Sequence, residues 1–418
     1  MSEPGFQDLR KVQKLNKIII ITIIFILLPH MLLAFPGEGL NLKAEDYFTQ
    51  EQIELGREYR VPHYWFFALE NLLLIIFLVL FIVTPLNGKL AEFSKTTAGK
   101  NTWLISSIYA SYLIILWNII IFPLHLYTGF IYEHKFDLSN QLFPEWIKRY
   151  LLAEFLTAAV FIAAITVLYV IIRKFPHHWW ILAGTGFSIF VILSTFAIPV
   201  LILPLFNKFT PMPEGELRQK TMEIVKKAGI NIEDIYVMDA SSQTKKGNAF
   251  FIGLGSTTRI VLYDTLKDYS IDETLAIIAH EAGHWKYNHI IKGIIMCITA
   301  GFCFLFFLYM LLAKFGHILK ISSQSDMKTL PLIILLFIMI NLLSLPVQNS
   351  ISRHFERQSD WTALELTENP SACVKLDQRL AAQNLSEIRP NKFLVWALYT
   401  HPPVMERIAM AEWYKTKK

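Results

Sequence analysis

This chain of 418 residues is predicted to fold as a mainly α-helical membrane bundle of seven spans with a small α/β unit on one face. Three observations carry that expectation. With 54% hydrophobic and 17% charged residues and a mean hydropathy of +0.41, the chain is too apolar and too lightly charged for a water-soluble protein of this length. Seven apolar runs are long enough to cross a hydrocarbon layer of roughly 30 Å. One stretch, 207–289, interrupts the series with the composition of a soluble α/β segment.

Residues 1–206 hold five of the runs, near 17–35, 64–85, 102–124, 151–173 and 179–206. The first follows a basic stretch of Arg10, Lys11, Lys14 and Lys17, as a signal peptide would, but it is long and lacks a small-residue cleavage site, so it reads as a helix. Glu70 and Glu154 fall inside runs, where a carboxylate is costly unless it faces the bundle interior or water; for Glu70 the alternative is snorkelling to the interface. Within 207–289, Pro213 to Ala228 is an amphipathic helix stopped by Gly229, and Asp234 to Asp239 is a strand. A polar loop from Ser241 to Gly247 follows, then strands at Ala249 to Gly253 and Arg259 to Leu262. Runs near 290–314 and 329–350 complete the spans, and 351–418 reads as a helical tail.

The soluble segment closes on a His-Glu-x-x-His core, His280, Glu281 and His284. Two imidazoles four residues apart share one face of a helix. The helix is well started, with Ser270 as N-cap, Asp272 and Glu273 in the first turn and apolar residues leading to the histidines. This pattern is a zinc-protease signature: zinc favours nitrogen ligands and, in catalytic sites, keeps one position for a water whose pKa it lowers toward neutrality. Glu281, about 100° round the helix from His280, is placed as general base, and one Zn2+ per chain is expected. A surface helix with two spare histidines would leave Glu281 and Gly283 unexplained. A third ligand should come from a separate element. The predicted helix from Ser352 to Leu366 sets Glu356 and Asp360 one turn apart, Glu356 to bind metal and Asp360 to orient His280 or His284. His354 competes with Glu356 as ligand.

These residues resemble the type I CAAX prenyl endopeptidase family. The resemblance rests on His280 to Lys286, on Ser352-Arg353-x-x-Glu356-x-x-x-Asp360, and on Asn248-Ala249-Phe250-Phe251 with Arg259 to Leu266. It rests also on Thr400-His401-Pro402-Pro403 with Arg407 beyond. Ser359 stands where the family usually has alanine. The resemblance spans nearly the whole chain. It implies a seven-span zinc endopeptidase enclosing a large chamber, acting on a peptide or protein prenylated at a C-terminal Cys and releasing the last three residues. It implies that Asn248 and Ala249 begin an edge strand that pairs with extended substrate; taken alone, the pair equally suits a turn. His401 is read as a donor to the oxyanion, the alternative being a cap on the preceding helix. Arg407 is read as partner to an acid near the metal helices, and His289 as structural.

Short basic loops at 86–101 and 173–178, with the basic N-terminus, point to the cytoplasm and would put the catalytic loop outside. The resemblance puts that loop and the C-terminus in the cytosol, the orientation adopted here. Cys297 and Cys303 lie in the sixth run and Cys373 in the tail, giving neither a disulfide framework nor a thiolate site. The net charge of +5 is spread over loops with no basic-aromatic platform, so no nucleic-acid partner is expected. A transporter should show two related halves, and a non-enzymatic scaffold has no use for Glu281. The nearest alternative is a membrane quality-control zinc protease without prenyl dependence.

Overall fold

The structure, a computed structural model, describes residues 36–253, 258–315 and 323–417. The predicted first span at 17–35 lies outside the described residues. The other six runs each become a helix long and apolar enough to cross a membrane. In order, the N-terminal part forms α1 (Gln50–Val83), the short α2 (Leu86–Ala98), α3 (Thr102–Leu126), α4 (Phe143–Lys174) and α5 (Trp179–Ala197). Thr49 and Gln52 close a reciprocal capping box at the start of α1, so this helix begins well before the apolar run at 64. Helix α3 widens into a π-turn at Tyr127–Ile131 and continues to Lys135.

The membrane core gathers Phe77, Tyr109, Tyr169, Trp179, Leu308 and Leu330. Its polar tips are satisfied at one end of the bundle. Tyr109 Oη donates to Asn87 Oδ1 at 2.7 Å, Asn87 Nδ2 to the Lys328 carbonyl at 3.0 Å and Trp179 Nε1 to Gln324 Oε1 at 2.7 Å. Glu70, half-exposed, lies 3.5 Å from His125 Nε2.

The soluble segment builds a four-stranded mixed sheet with β1 (Phe209–Pro211), β2 (Asp234–Met238), β3 (Ala249–Ile252) and β4 (Arg259–Tyr263). The order is β1-β2-β4-β3, with β2 and β4 parallel and both outer strands antiparallel. Strand β3 is therefore an edge. Between β1 and β2 runs α6 (Glu216–Lys227), three residues shorter at its start than the expected helix because Gly215, with extended backbone, occupies the N-cap. Gly229 follows at φ +74°, the left-handed stop that a glycine supplies cheaply.

The last part comprises α7 (Ile271–Lys286), α8 (His289–Phe315), α9 (Leu330–Thr367), α10 (Pro370–Gln383), α11 (Lys392–Leu398) and α12 (Val404–Lys415). Helix α9 continues past the expected end of the last span at 350 and runs for 38 residues, about 57 Å at 1.5 Å per residue. Residues Asn349, Arg353, Glu356 and Asp360 fall on one buried face of its second half, at the spacing of successive helical turns. A single helix thus links the membrane to the site. Ile235, Ile260, Ile278, Ala282, Leu364 and Ile408 form a second core that joins the sheet to α7, α9 and α12.

Candidate active site

Helix α7 starts as expected. Ser270 Oγ accepts from the Glu273 amide at 3.3 Å while Glu273 Oε2 accepts from the Ser270 amide at 2.7 Å. From this fixed end the helix delivers His280, Glu281 and His284 against α9. Close approach is possible because Gly283 has no side chain: a Cβ there would lie 2.6 Å from Ser359 Cα.

Donor atoms of His280, His284 and Glu356 all lie within 4.8 Å of one another, the one such group found among the described residues. His280 Nε2 is 3.2 Å from His284 Nε2 and 3.2 Å from Glu356 Oε2, and His284 Nε2 is 3.5 Å from Glu356 Oε1. Tetrahedral zinc with bonds of about 2.0–2.1 Å separates its ligand atoms by roughly 3.3 Å, and these gaps, measured to the two different oxygens of Glu356, are of that size. Glu356 Oε2 is buried, with the imidazole Nε2 of His280 3.2 Å away. The surroundings also favour positive charge. Burial pushes the His280 imidazole down, but hydrogen bonds with Asp360 and Glu356 outweigh it and lift the group to about 10. Burial raises the Glu281 carboxyl above its ordinary value, opposed by His280 and His284. His354, the competing ligand in the sequence, is not part of the group.

Around the donors sits a second layer. His280 Nδ1 lies 2.8 Å from Asp360 Oδ1, and Arg407 holds that carboxylate from behind, Nη2 donating to Oδ1 at 2.7 Å and Nε to Oδ2 at 3.0 Å. Arg407 also pairs with Asp377 at 3.0 Å, whose carboxyl burial pushes up to about 7. His284 Nδ1 lies 3.0 Å from His289 Nδ1. His289, read from the sequence as structural, therefore touches a donor of the site.

His401 Nε2 lies 3.5 Å from Glu356 Oε1, with Nδ1 2.9 Å from Thr400 Oγ1. Its segment is bolted to α9. Arg353 Nη1 donates to the Val395 and Tyr399 carbonyls at 2.8 and 2.6 Å, and Asn349 Nδ2 to the Ala397 carbonyl at 2.6 Å. Sequence reasoning placed Arg353 in the motif that carries the resemblance but gave it no role, and passed over Asn349; their signal was the polar stripe one and two turns before Glu356.

Ala249 opens edge strand β3, with Asn248 just before it, and the strand packs beside α7. The Tyr263 amide donates to the Asn248 carbonyl at 3.1 Å. Pairing in an antiparallel ladder alternates, so the main-chain groups of Ala249 point away from β4; the residue is buried, and its amide meets Asn248 Oδ1 at 2.9 Å. Lys246, just upstream, is held by Glu133 and Tyr59 of the membrane part, both at 2.8 Å.

A helical membrane bundle whose last rod brings a carboxylate to a His-Glu-x-x-His helix defines an integral-membrane metallopeptidase. The sequence matches the profile of Peptidase family M48 over residues 211–414 and that of the CAAX prenyl protease N-terminal region, five membrane helices, over 38–208. The chain belongs to peptidase family M48, in its CAAX prenyl protease branch. It is 33% identical over 324 residues to CAAX prenyl protease 1 of Saccharomyces cerevisiae, covering 71% of this chain and 69% of the relative. It is 31% identical over 291 residues to the uncharacterized metalloprotease YhfN of Bacillus subtilis, covering 68% of each. The crystal structure of Ste24p from S. mikatae superposes with a TM-score of 0.80 at 25% identity, over 89% of this chain and 92% of that one.

Proposed function

We propose that this membrane metalloprotease carries one zinc ion, held by His280, His284 and Glu356, and cleaves prenylated C-terminal peptides after the modified cysteine. The observation that carries the reading is the donor cluster, with His280 Nε2 3.2 Å from both His284 Nε2 and Glu356 Oε2 and His284 Nε2 3.5 Å from Glu356 Oε1. When bound, the metal supplies Lewis acidity at the scissile carbonyl and lowers the pKa of a water. Glu281 takes the proton from the attacking water and returns it to the leaving amine. Asp360, clamped by Arg407, orients His280 and keeps its proton on Nδ1. His401 donates to the developing oxyanion, and the outer strand that begins at Asn248 and Ala249 pairs with extended peptide, which fixes the carbonyl without demanding a particular side-chain sequence. The catalytic loop and C-terminus face the cytosol. The lipid requirement rests on likeness to CAAX prenyl protease 1. A second reading, a membrane protease indifferent to the lipid, draws on the equally well-covered B. subtilis relative, whose name carries no prenyl substrate. Purified protein given a farnesylated peptide and its unprenylated twin separates the two. Tripeptide release from the farnesylated peptide alone supports the first reading, and equal release from both overturns it.

A further inference from the structure

We propose that His289 is a positioning residue for His284: it accepts the Nδ1 proton of His284, hands the polarity on to Gln358, and so fixes the tautomer that presents Nε2 to the metal. The inference rests on the reading of His284 as a ligand. His284 Nε2 is the nitrogen that faces His280 and Glu356, at 3.2 and 3.5 Å. A neutral imidazole that gives Nε2 to a metal carries its proton on Nδ1, and that nitrogen lies 3.0 Å from His289 Nδ1. His289 Nδ1 must therefore accept, which leaves its own proton on Nε2. That atom is 3.0 Å from Gln358 Oε1, an amide oxygen that only accepts. Reversing the chain would protonate His284 on the nitrogen the metal needs. The hydrogen bonds are consistent in one sense only.

The fold builds this contact deliberately. Asn288, between α7 and α8, takes φ +54°, a left-handed conformation that Asn tolerates better than most residues, and the reversal lays the first residue of α8 over the last turn of α7. His289 is buried and its ring stacks on Phe355 at 4.2 Å and 9°. Gln358 lies two residues beyond Glu356 on α9, so the chain of bonds begins at one ligand helix and ends on the other. The two histidine ligands are thus held differently, His280 by a carboxylate and His284 by a neutral imidazole and amide. The arrangement orients the second ring without adding negative charge beneath the metal.

The test uses full-length protein in detergent, with zinc affinity read by chelator competition and the unfolding midpoint read on zinc-free protein. His289→Phe keeps a stacking ring and removes both nitrogens; His289→Asn restores an acceptor near the Nδ1 position. Outer-layer partners of metal-bound histidines are worth about 10–100-fold in affinity. His289→Phe is expected to weaken zinc binding by that factor with the zinc-free midpoint close to wild type, and His289→Asn to recover most of the loss. Gln358→Met should cost less than His289→Phe, and the double variant no more than His289→Phe alone, because both act through one network. Wild-type zinc affinity in His289→Phe overturns the proposal, as does failure of His289→Asn to improve on it. Retention of zinc by His284→Ala would instead refute the ligand reading beneath it.

Discussion

Replacing Gly283 by alanine probes the whole site through one methyl group. The new Cβ would lie 2.6 Å from Ser359 Cα and 3.1 Å from both Cβ and Oγ of Ser359, where carbon atoms prefer about 3.5–4.0 Å. The nearest atom is main chain, so relief requires α7 and α9 to separate by about 1 Å. Residue 283 sits between His280 and His284, and residue 359 between Glu356 and Asp360, so this separation acts directly on the donor cluster. Metal sites tolerate about 0.2 Å in ligand distance, and a misplacement of about 1 Å costs on the order of a hundredfold in rate. Stability should suffer less. Overpacking costs about 1–3 kcal/mol, and alanine returns about 1 kcal/mol of helix propensity over glycine. The expected outcome is a protein that unfolds within a few degrees of wild type yet binds zinc at least tenfold more weakly and hydrolyses peptide about a hundredfold more slowly. Chelator competition, thermal unfolding and kcat/KM on one preparation give all three numbers. Adding Ser359→Gly should not rescue, because Cα remains. Wild-type zinc affinity and turnover in Gly283→Ala would refute the close-approach argument.

Glu356→Ala should lose zinc and activity together, whereas His354→Ala should keep zinc; metal analysis that finds the reverse exchanges their roles. Ala249→Pro removes one outward main-chain donor on β3 and should raise KM with zinc content unchanged, while His401→Ala should lower kcat more than it raises KM, since an oxyanion donor acts mainly in the transition state. Steady-state kinetics on both variants that show the same signature would contradict the division of labour. A single cysteine introduced at exposed Ser242, in a background without Cys297, Cys303 and Cys373, should resist a membrane-impermeant thiol reagent on intact cells; labelling from outside would reverse the orientation.

Much of this site can be read from residues that declare themselves locally. The Ser270 to Glu273 start, the His-Glu-x-x-His pair and the acid-to-acid spacing of Glu356 and Asp360 are short-range patterns, and each fixes a helix face without knowledge of the fold. What escaped depends on longer reach. The last span looked finished near 350 because hydropathy falls there, although the helix continues and exchanges an apolar face for the polar stripe of Asn349, Arg353, Glu356 and Asp360. Strand β1 is three residues long, too short for an alternating pattern to register. The contact of His289 with His284 depends on a reversal at Asn288 that an Asn permits but does not announce. Asn248 and Ala249 became an edge only once β2 and β4 had paired in parallel and left β3 outermost.

The central claim is that Glu281 moves protons at a metal it does not hold. Glu281→Gln preserves shape and hydrogen-bonding reach while removing the base, and zinc content can be measured alongside hydrolysis of the farnesylated peptide on the same purified sample. The account predicts zinc near one per chain with hydrolysis reduced by roughly a hundredfold or more. Loss of zinc, or wild-type hydrolysis, would contradict it.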